Sequence, residues 1–277
     1  MAYRRDPYGN TGRQPQYSRR KRSMGGGLII ALVIAGFYVC KYYSNSQFNE
    51  ITGETQHVSL TEEQEVALGL QSLPAMVQQH GGLHPDRDGQ RLVKQIGQRI
   101  VQNSDARNTP YQYDFHLLAD PRVVNAFALP GGQVFITAAL FNRLENEDQL
   151  AGVFGHEIGH VVARHGAERI AKQELTQGLT GAAVVASGDY STAQAAQMIG
   201  NLINMKYGRD QELQSDDLGV RFMVQAGYDP EALIGVMRIL AEAAGGGQRA
   251  PEWQSTHPDP ENRVERIQEA IQKYRNQ

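Results

Sequence analysis

The stretch Gly155-His156-Glu157-Ile158-Gly159-His160 constrains this chain more than any other. Side chains four residues apart project from the same face of a helix, so His156 and His160 can hold one metal ion. Glu157 follows the first histidine and is placed to act as general base toward an attacking water. Apolar residues recur at helical spacing around the motif, and acidic residues precede it. The sequence therefore predicts a largely buried helix that carries a metal site.

A catalytic zinc site needs three protein ligands and one open position. Residues 209–220 offer the third ligand, because Glu212 and Asp216 are one helical turn apart and share a face. We expect Glu212 to coordinate a single Zn²⁺, and Asp216 to accept a hydrogen bond from the free ring nitrogen of a bound histidine. The alternative is a solvated acidic helix with an incidental pair of carboxylates.

The spacing of these motifs resembles the gluzincin metallopeptidases and, more narrowly, metallopeptidase family forty-eight, which includes HtpX and the CAAX prenyl proteases. Three further matches support the narrower resemblance, which covers roughly residues 50 to 270: the stretch 125–137, the spacing Arg209-x-x-Glu212, and Thr256-His257-Pro258 with Arg263 after it. The resemblance implies an α+β fold. Its core would be a predominantly helical, zincin-like metalloprotease domain with a small β-sheet at the cleft, preceded by one transmembrane helix.

The implied activity is zinc-dependent hydrolysis of peptide bonds, with Glu157 moving the proton. Arg209 and His257 are then candidate stabilisers of developing negative charge. The resemblance also allows His257 to be a fourth ligand in a resting state, and a plain helix-capping turn before Pro258 is a third possibility. A membrane-tethered, chaperone-like binding module with a structural or regulatory zinc is the competing hypothesis. Glu157, which a structural site does not need, favours the enzyme.

An uncharged apolar run spans residues 24–40 and follows a polar segment, residues 1–23, that we expect to be disordered. The run is at the short limit for a transmembrane helix. Four basic residues precede it and only Lys41 follows, which places the N-terminus in the cytoplasm and the catalytic domain across the membrane. A cleaved secretory signal and a buried helix are the alternatives.

Charge is unevenly distributed along the chain. Residues 1–22 carry seven Lys/Arg and one Asp, a net charge of +6, which leaves −9 for the remainder. A basic tail on an acidic body argues against nucleic acid as a partner. We expect polypeptide substrates, including unfolded ones, and contact with a membrane through residues 24–40. The resemblance implies quality control of misfolded envelope proteins at a bacterial inner membrane or, as second choice, an organellar one, and leaves the oligomeric state open.

Residues 41–58 are predicted to be a polar tether, and residues 59–277 the metallopeptidase domain. Within that domain, overlapping capping boxes over 59–64 predict a helix that runs to about 79, and capping signals and periodicity predict further helices over about 86–103, 211–226, 230–244 and 259–274. Short strands are predicted within 111–118, 123–129 and 133–137. The resemblance places the edge of this sheet along the active-site cleft. Residues 166–205 contain two apolar stretches, 179–186 and 193–202, that are too short for a further membrane span, so we expect a helical pair bordering the cleft.

Overall fold

The computed structural model describes residues 24–187, 208–245, 253, 257 and 262–276. The predicted disorder of residues 1–23, the predicted helix at 193–202 and the turn residues beside His257 lie outside this part of the chain. Its elements, in chain order, are α1 (Met24–Ser44), β1 (Ser46–Asn49), β2 (Glu54–His57), α2 (Glu62–Gln79), α3 (Arg87–Asn103), β3 (Asp114–Leu118), β4 (Ala126–Leu129), β5 (Gln133–Thr137), α4 (Ala138–Phe141), α5 (Glu147–Val162), α6 (His165–Ser187), α7 (Arg209–Ala226), α8 (Ala232–Gly245) and α9 (Arg263–Arg275).

Helix α5 lies at the centre of the fold. Its first turn is closed by the N-cap residue Asn146, whose side chain accepts a 2.9 Å hydrogen bond from the backbone N–H of Gln149. Every residue from there to Val162 is buried. Helices α3, α7 and α8 pack around α5, and α9 packs against α7. The prediction of a buried helix carrying the histidine motif is confirmed.

Glycines allow α5 and α7 to approach closely. A methyl group at Gly219 of α7 would lie 2.9 Å from the backbone nitrogen of His156, and one at Gly159 of α5 would lie 2.9 Å from the carbonyl oxygen of Ser215. Real side chains do not tolerate such contacts with backbone atoms, whereas glycine permits them. The two backbones therefore touch along this line, and their contact brings Glu212 within reach of the histidines.

The sheet beside α5 has the strand order β3-β5-β4, with β3 parallel and β4 antiparallel to β5. Its three strands confirm the predicted ones, with shorter bounds for β3 and β4 and the same bounds for β5. The backbone N–H of Thr137 donates to the carbonyl of Asn125, which marks a hydrogen-bonded pair. Because such pairs alternate along an antiparallel ladder, Ala126 and Ala128 turn their N–H and C=O groups away from β5. The edge of β4 therefore turns backbone groups away from the sheet, and β4 packs against α5.

The predicted tether over residues 41–58 needs correction, since much of it folds onto the domain. Strands β1 and β2 form an antiparallel hairpin. The side-chain amide of Asn49 donates to the carbonyl of Val162 at 2.8 Å, and the amide of Gln56 donates to that of Ala163. These carbonyls end α5 and lack partners within the helix. The hairpin supplies the missing donors and so belongs to the folded domain.

The predicted helices are confirmed with small shifts at their ends. Thr61 caps α2 in a capping box with Gln64, Asp86 caps α3, and α7 ends at Gly227, whose positive φ of 75° suits glycine. Within the described residues, α1 is the one helix that is long and apolar enough to cross a membrane. The fold class is confirmed as α+β and mostly helical, with small sheets and an apolar N-terminal helix.

Candidate metal centre

Four buried side chains converge where α5 and α7 meet. They are His156, His160, Glu212 and His257, and one ligand atom from each lies within 4.8 Å of the others. The Nε2 atoms of the first two are 3.1 Å apart, and each lies 3.5 Å from a carboxylate oxygen of Glu212. Tetrahedral ligands about 2.0 to 2.1 Å from a zinc ion are about 3.3 Å from one another. The spacing of the donor atoms therefore fits zinc.

A buried ion pair fixes the orientation of His156. Its Nδ1–H donates to Oδ1 of Asp216 at 2.8 Å, and Arg263 donates to both oxygens of the same carboxylate at 2.7 and 2.9 Å. Burial alone would raise the pKa of Asp216, but the Arg263 guanidinium and the His156 hydrogen bond outweigh it and lower that pKa. The carboxylate is therefore ionised and holds the Nδ1 proton of His156.

His165, the first residue of α6, fixes the orientation of His160. The Nδ1 atoms of the two rings are 2.9 Å apart, and Nε2 of His165 is 2.7 Å from the side-chain oxygen of Gln214. An amide oxygen only accepts hydrogen bonds, so His165 donates from Nε2 and accepts from His160 with Nδ1. His160 therefore carries its proton on Nδ1, as His156 does.

These protonation states bear on whether a metal fits. With both Nδ1 atoms donating, the Nε2 atoms of His156 and His160 present lone pairs to each other at 3.1 Å. Two such lone pairs repel unless a cation lies between them. Burial also lowers the pKa of both histidines and of His257, which keeps the rings neutral, as metal ligands must be. The residues present fit a divalent metal ion.

Glu157 lies beside this cluster and next to the edge of β4. Its side chain is fully buried, and Oε1 is 3.5 Å from Nε2 of His257. Burial raises the pKa of Glu157 to about 8, against the opposing influence of the Ala128 backbone N–H and of Arg263. A divalent cation at the adjacent donor atoms would favour the ionised carboxylate, which can accept a proton and return it, as general acid–base catalysis requires.

The structure separates the two predicted stabilisers of negative charge. His257 lies in the cluster, where its backbone N–H donates to the carbonyl of Trp253 at 2.7 Å and the two rings stack 4.1 Å apart. Arg209 begins α7 with an exposed side chain, and within the described residues it makes no hydrogen bond or ion pair. The buried arginine of the site is instead Arg263, which lies 3.4 Å from Glu212.

Sequence reasoning gave no role to two residues that orient the histidines. His165 follows the motif by five positions, and its nearness to His160 was the available signal. Arg263 follows the Thr256-His257-Pro258 stretch and was noted there as part of the resemblance alone. Neither spacing corresponds to a helical face shared with a ligand, so local periodicity does not reveal these contacts.

Comparison with known proteins agrees with this geometry. The beta-barrel assembly-enhancing protease of Escherichia coli (strain K12) is 32% identical over 184 residues, 63% of this chain and 37% of that protein. Mitochondrial metalloendopeptidase OMA1 of Schizosaccharomyces pombe is 32% identical over 177 residues, 64% of this chain and 51% of that protein. Metalloendopeptidase OMA1, mitochondrial, of Bos taurus is 26% identical over 249 residues, 84% of this chain and 47% of that protein.

The chain thus spans between about a third and a half of the length of these relatives. The family model described as Peptidase family M48 matches residues 88–271, a range that contains the motif, Glu212, His257 and Arg263. The match covers well over half of the chain and agrees with the resemblance found in the sequence. The chain belongs to peptidase family M48.

Proposed function

We propose that this protein is a membrane-anchored, zinc-dependent endopeptidase. The observation that carries the proposal is a buried carboxylate next to three metal-binding side chains. His156, His160 and Glu212 present donor atoms at the spacing of a tetrahedral site, and Glu157 lies beside them without belonging to that triad. Three ligands with an adjacent general base are what metal-assisted hydrolysis requires.

The residues of the site have separate roles in hydrolysis. The two histidines and Glu212 would hold a zinc ion, and its Lewis acidity would polarise the scissile carbonyl and acidify water. Glu157 accepts the proton of the attacking water and returns it to the leaving amine. Asp216 and Arg263 hold His156 so that its Nε2 lone pair points into the site.

The edge of β4 is the proposed binding surface for the substrate backbone. Ala126 and Ala128 turn their peptide groups away from β5, and the Ala128 N–H lies close to Glu157. An extended peptide that pairs with this edge adds a strand to the sheet, and its scissile bond then runs past the general base. Such recognition depends on main-chain hydrogen bonds and tolerates many side chains, which suits unfolded polypeptides.

His257 is proposed to close the site as a fourth ligand. Its ligand atom lies within 4.8 Å of those of the other three residues, and Trp253 stacks on the ring. Four protein ligands leave no open position for substrate, so this arrangement is a resting state. The same ring, 3.5 Å from Glu157, would become an oxyanion donor if it turned away from the metal.

Substitution His257→Ala separates these roles. We expect casein cleavage to rise about tenfold, which is the gain if the open site is populated at about a tenth in the parent protein. The measurement is the initial rate per bound zinc, with Trp253→Phe beside it as a variant that keeps the imidazole and a stacked ring. A fall in rate for His257→Ala would instead make this residue an oxyanion donor.

Four buried donors also favour the second candidate function, a chaperone-like binding module with a structural zinc. A closed site of four protein ligands is typical of structural zinc. A structural site has no use for the buried carboxylate of Glu157, however, and desolvating it is costly. Measured hydrolysis separates the two candidates, since a binding module retains unfolded casein without cutting it.

The test is casein degradation by the full-length protein in phospholipid vesicles. Removal of metal by a chelator is expected to abolish cleavage, and stoichiometric Zn²⁺ is expected to restore it where Mg²⁺ does not. Hard oxygen-seeking cations are poorly matched to a site with two or three imidazoles. Full activity in the chelated protein, checked by metal analysis, would contradict the proposal.

The membrane topology is proposed from the charge pattern around α1. The basic residues before this helix stay in the cytoplasm, and the domain after Lys41 lies on the periplasmic side of a bacterial inner membrane. One relative is named a beta-barrel assembly-enhancing protease, and others are mitochondrial metalloendopeptidases. These names support a role in quality control of envelope proteins, with an organellar inner membrane as the alternative location.

A further inference from the structure

We infer that the second half of α6 lies in the lipid bilayer beside α1, so that an antiparallel helix pair holds the metal centre against the membrane. This inference rests on the proposed role of α1 as the membrane anchor. It adds a lipid-contacting segment in residues 178–187, between the two metal-binding helices. It also narrows the substrates to polypeptide segments close to the membrane surface.

Contacts between α1 and α6 run along most of the anchor. Lys41 forms a 2.7 Å ion pair with Glu174 near one end. Further along, the ring of Tyr38 covers Gly178 so closely that a Cβ there would overlap it. Near the other end, a Cβ at Gly27 would lie 3.3 Å from the carbonyl oxygen of Val185. In successive contacts the residue number decreases along α1 while it increases along α6, so the two helices are antiparallel.

The exposed side of α6 changes character along the helix. Before Gly178 the exposed residues are polar, namely Lys172, Gln173 and Gln177. Beyond it they are Leu179, Gly181, Ala183, Val185 and Ala186, and residues 178–186 contain no charge. A helix face in water has no reason to lose its polar residues at one point. The change marks the depth at which α6 leaves water.

The outer side of α1 completes an apolar surface on the pair. Exposed fractions are 64% for Ile29, 65% for Leu32, 67% for Val33 and 63% for Phe37. Continuous apolar surface of this extent is rare on proteins in water. Because α1 and the apolar part of α6 lie side by side, a bilayer that surrounds α1 also contacts α6. In a helix the backbone hydrogen bonds are satisfied internally, so lipid contact leaves few of them open.

The ion pair between Lys41 and Glu174 sets the level of the membrane surface. Tyr42 and Tyr43 follow at that level, where aromatic side chains with a polar tip are favoured. From Gln177 to Ser187 α6 rises about 15 Å, roughly half of a hydrocarbon core of about 30 Å. Toward the N-terminus of α6, His165 lies nine residues before Glu174, which is a distance of at most about 14 Å along the helix axis. The metal ligand His160 therefore lies in the layer just outside the membrane.

The test places a fluorophore at single cysteines in the full-length protein, with Cys40→Ser as background. Vesicles of phosphatidylethanolamine and phosphatidylglycerol hold the protein, and quenching by aqueous iodide is compared with quenching by nitroxide-labelled lipid. Ala183→Cys is the test position, Leu32→Cys on α1 is the lipid reference, and Gln173→Cys on α6 is the matched water-facing control. Iodide quenching at position 183 is expected to be about tenfold weaker than at position 173, because ions are excluded from hydrocarbon.

Strong lipid quenching at positions 183 and 32 supports the inference. Iodide quenching at position 183 as strong as at position 173 would overturn it, whether or not position 32 is in lipid. Casein cleavage by the same three proteins distinguishes failure of the membrane inference from failure of the proposed endopeptidase activity. If position 183 is in water and cleavage persists, the membrane inference alone fails. If position 183 is in lipid and no protein cleaves casein, the inference stands and the proposed endopeptidase activity fails.

Discussion

Replacement of Glu157 by glutamine is expected to lower the rate of casein cleavage about 10²- to 10⁴-fold, the usual contribution of a general acid–base group. The amide keeps the size of the side chain and cannot accept the proton of the attacking water. Metal binding should persist, because Glu157 is outside the triad formed by His156, His160 and Glu212. The measurement pairs the cleavage rate with zinc content, and one zinc per chain should remain.

Glu147→Gln is the matched control, since it makes the same change on the exposed first turn of α5. It should leave both rate and zinc content unchanged. Glu157→Gln removes a buried carboxyl group whose pKa is raised to about 8 by burial, so the folded protein should not lose stability. Unimpaired cleavage by Glu157→Gln would show that the proton is moved by another group and that the mechanism is wrong.

Replacement of Asp216 by asparagine is expected to weaken zinc binding about 10- to 100-fold, the usual effect of losing the partner that orients a histidine ligand. The neutral amide no longer favours the proton on Nδ1 of His156. It also leaves the Arg263 guanidinium buried without its full counter-charge, which typically costs about 3 to 5 kcal/mol of stability. Competition with a chromophoric chelator measures the affinity, and thermal unfolding of the metal-free protein measures the stability.

The neighbouring Asp217 provides a matched control on the same helix. Its carboxylate pairs with Lys273 and Tyr274 at the surface. Ion pairs in water contribute about 1 kcal/mol or less, so Asp217→Asn should change stability little and zinc affinity not at all. If the two substitutions had equal effects on zinc affinity, the orienting role proposed for Asp216 would be refuted.

The candidate metal ligands could be anticipated because helix geometry is local. Residues four apart share a face wherever the helix lies, so the pairs His156 and His160, and Glu212 and Asp216, were identifiable before any fold was known. Their meeting across α5 and α7 depends on the glycine contact at Gly219, which the sequence did not reveal. Spacing thus predicted the donors, while the packing that joins them required the structure.

The arginine that binds Asp216 could not be predicted in this way. The resemblance made Arg209 a candidate stabiliser of negative charge, whereas Arg263 received no role although its guanidinium binds Asp216 across 47 positions of the chain. Contacts of this range have no periodicity in the sequence. His165 was missed for a related reason, since it follows the end of α5 and approaches His160 through a change of helix direction at Arg164, whose φ is 54°.

The helices were predicted well because the capping residues and the apolar periodicity that indicate a helix lie within each helical segment itself. The hairpin of β1 and β2 was not, since its strands are four residues long and three of the four residues of β1 are exposed. Its place in the fold depends on Asn49 and Gln56 binding the carbonyls at the end of α5. A polar composition is compatible both with a tether and with a hairpin held by side-chain amides, so composition alone does not distinguish the two.

The stacking of Trp253 on His257 has a kinetic consequence. His156, His160 and Glu212 are at most 2% exposed, and the two stacked rings lie against them. With the proposed zinc ion bound, a chelator would reach it only after the stacked pair moves aside. Loss of metal then proceeds at the rate of that opening, and beyond a modest chelator concentration adding more does not accelerate it. The rate at which a chelator removes the metal would therefore measure how often the stacked pair opens.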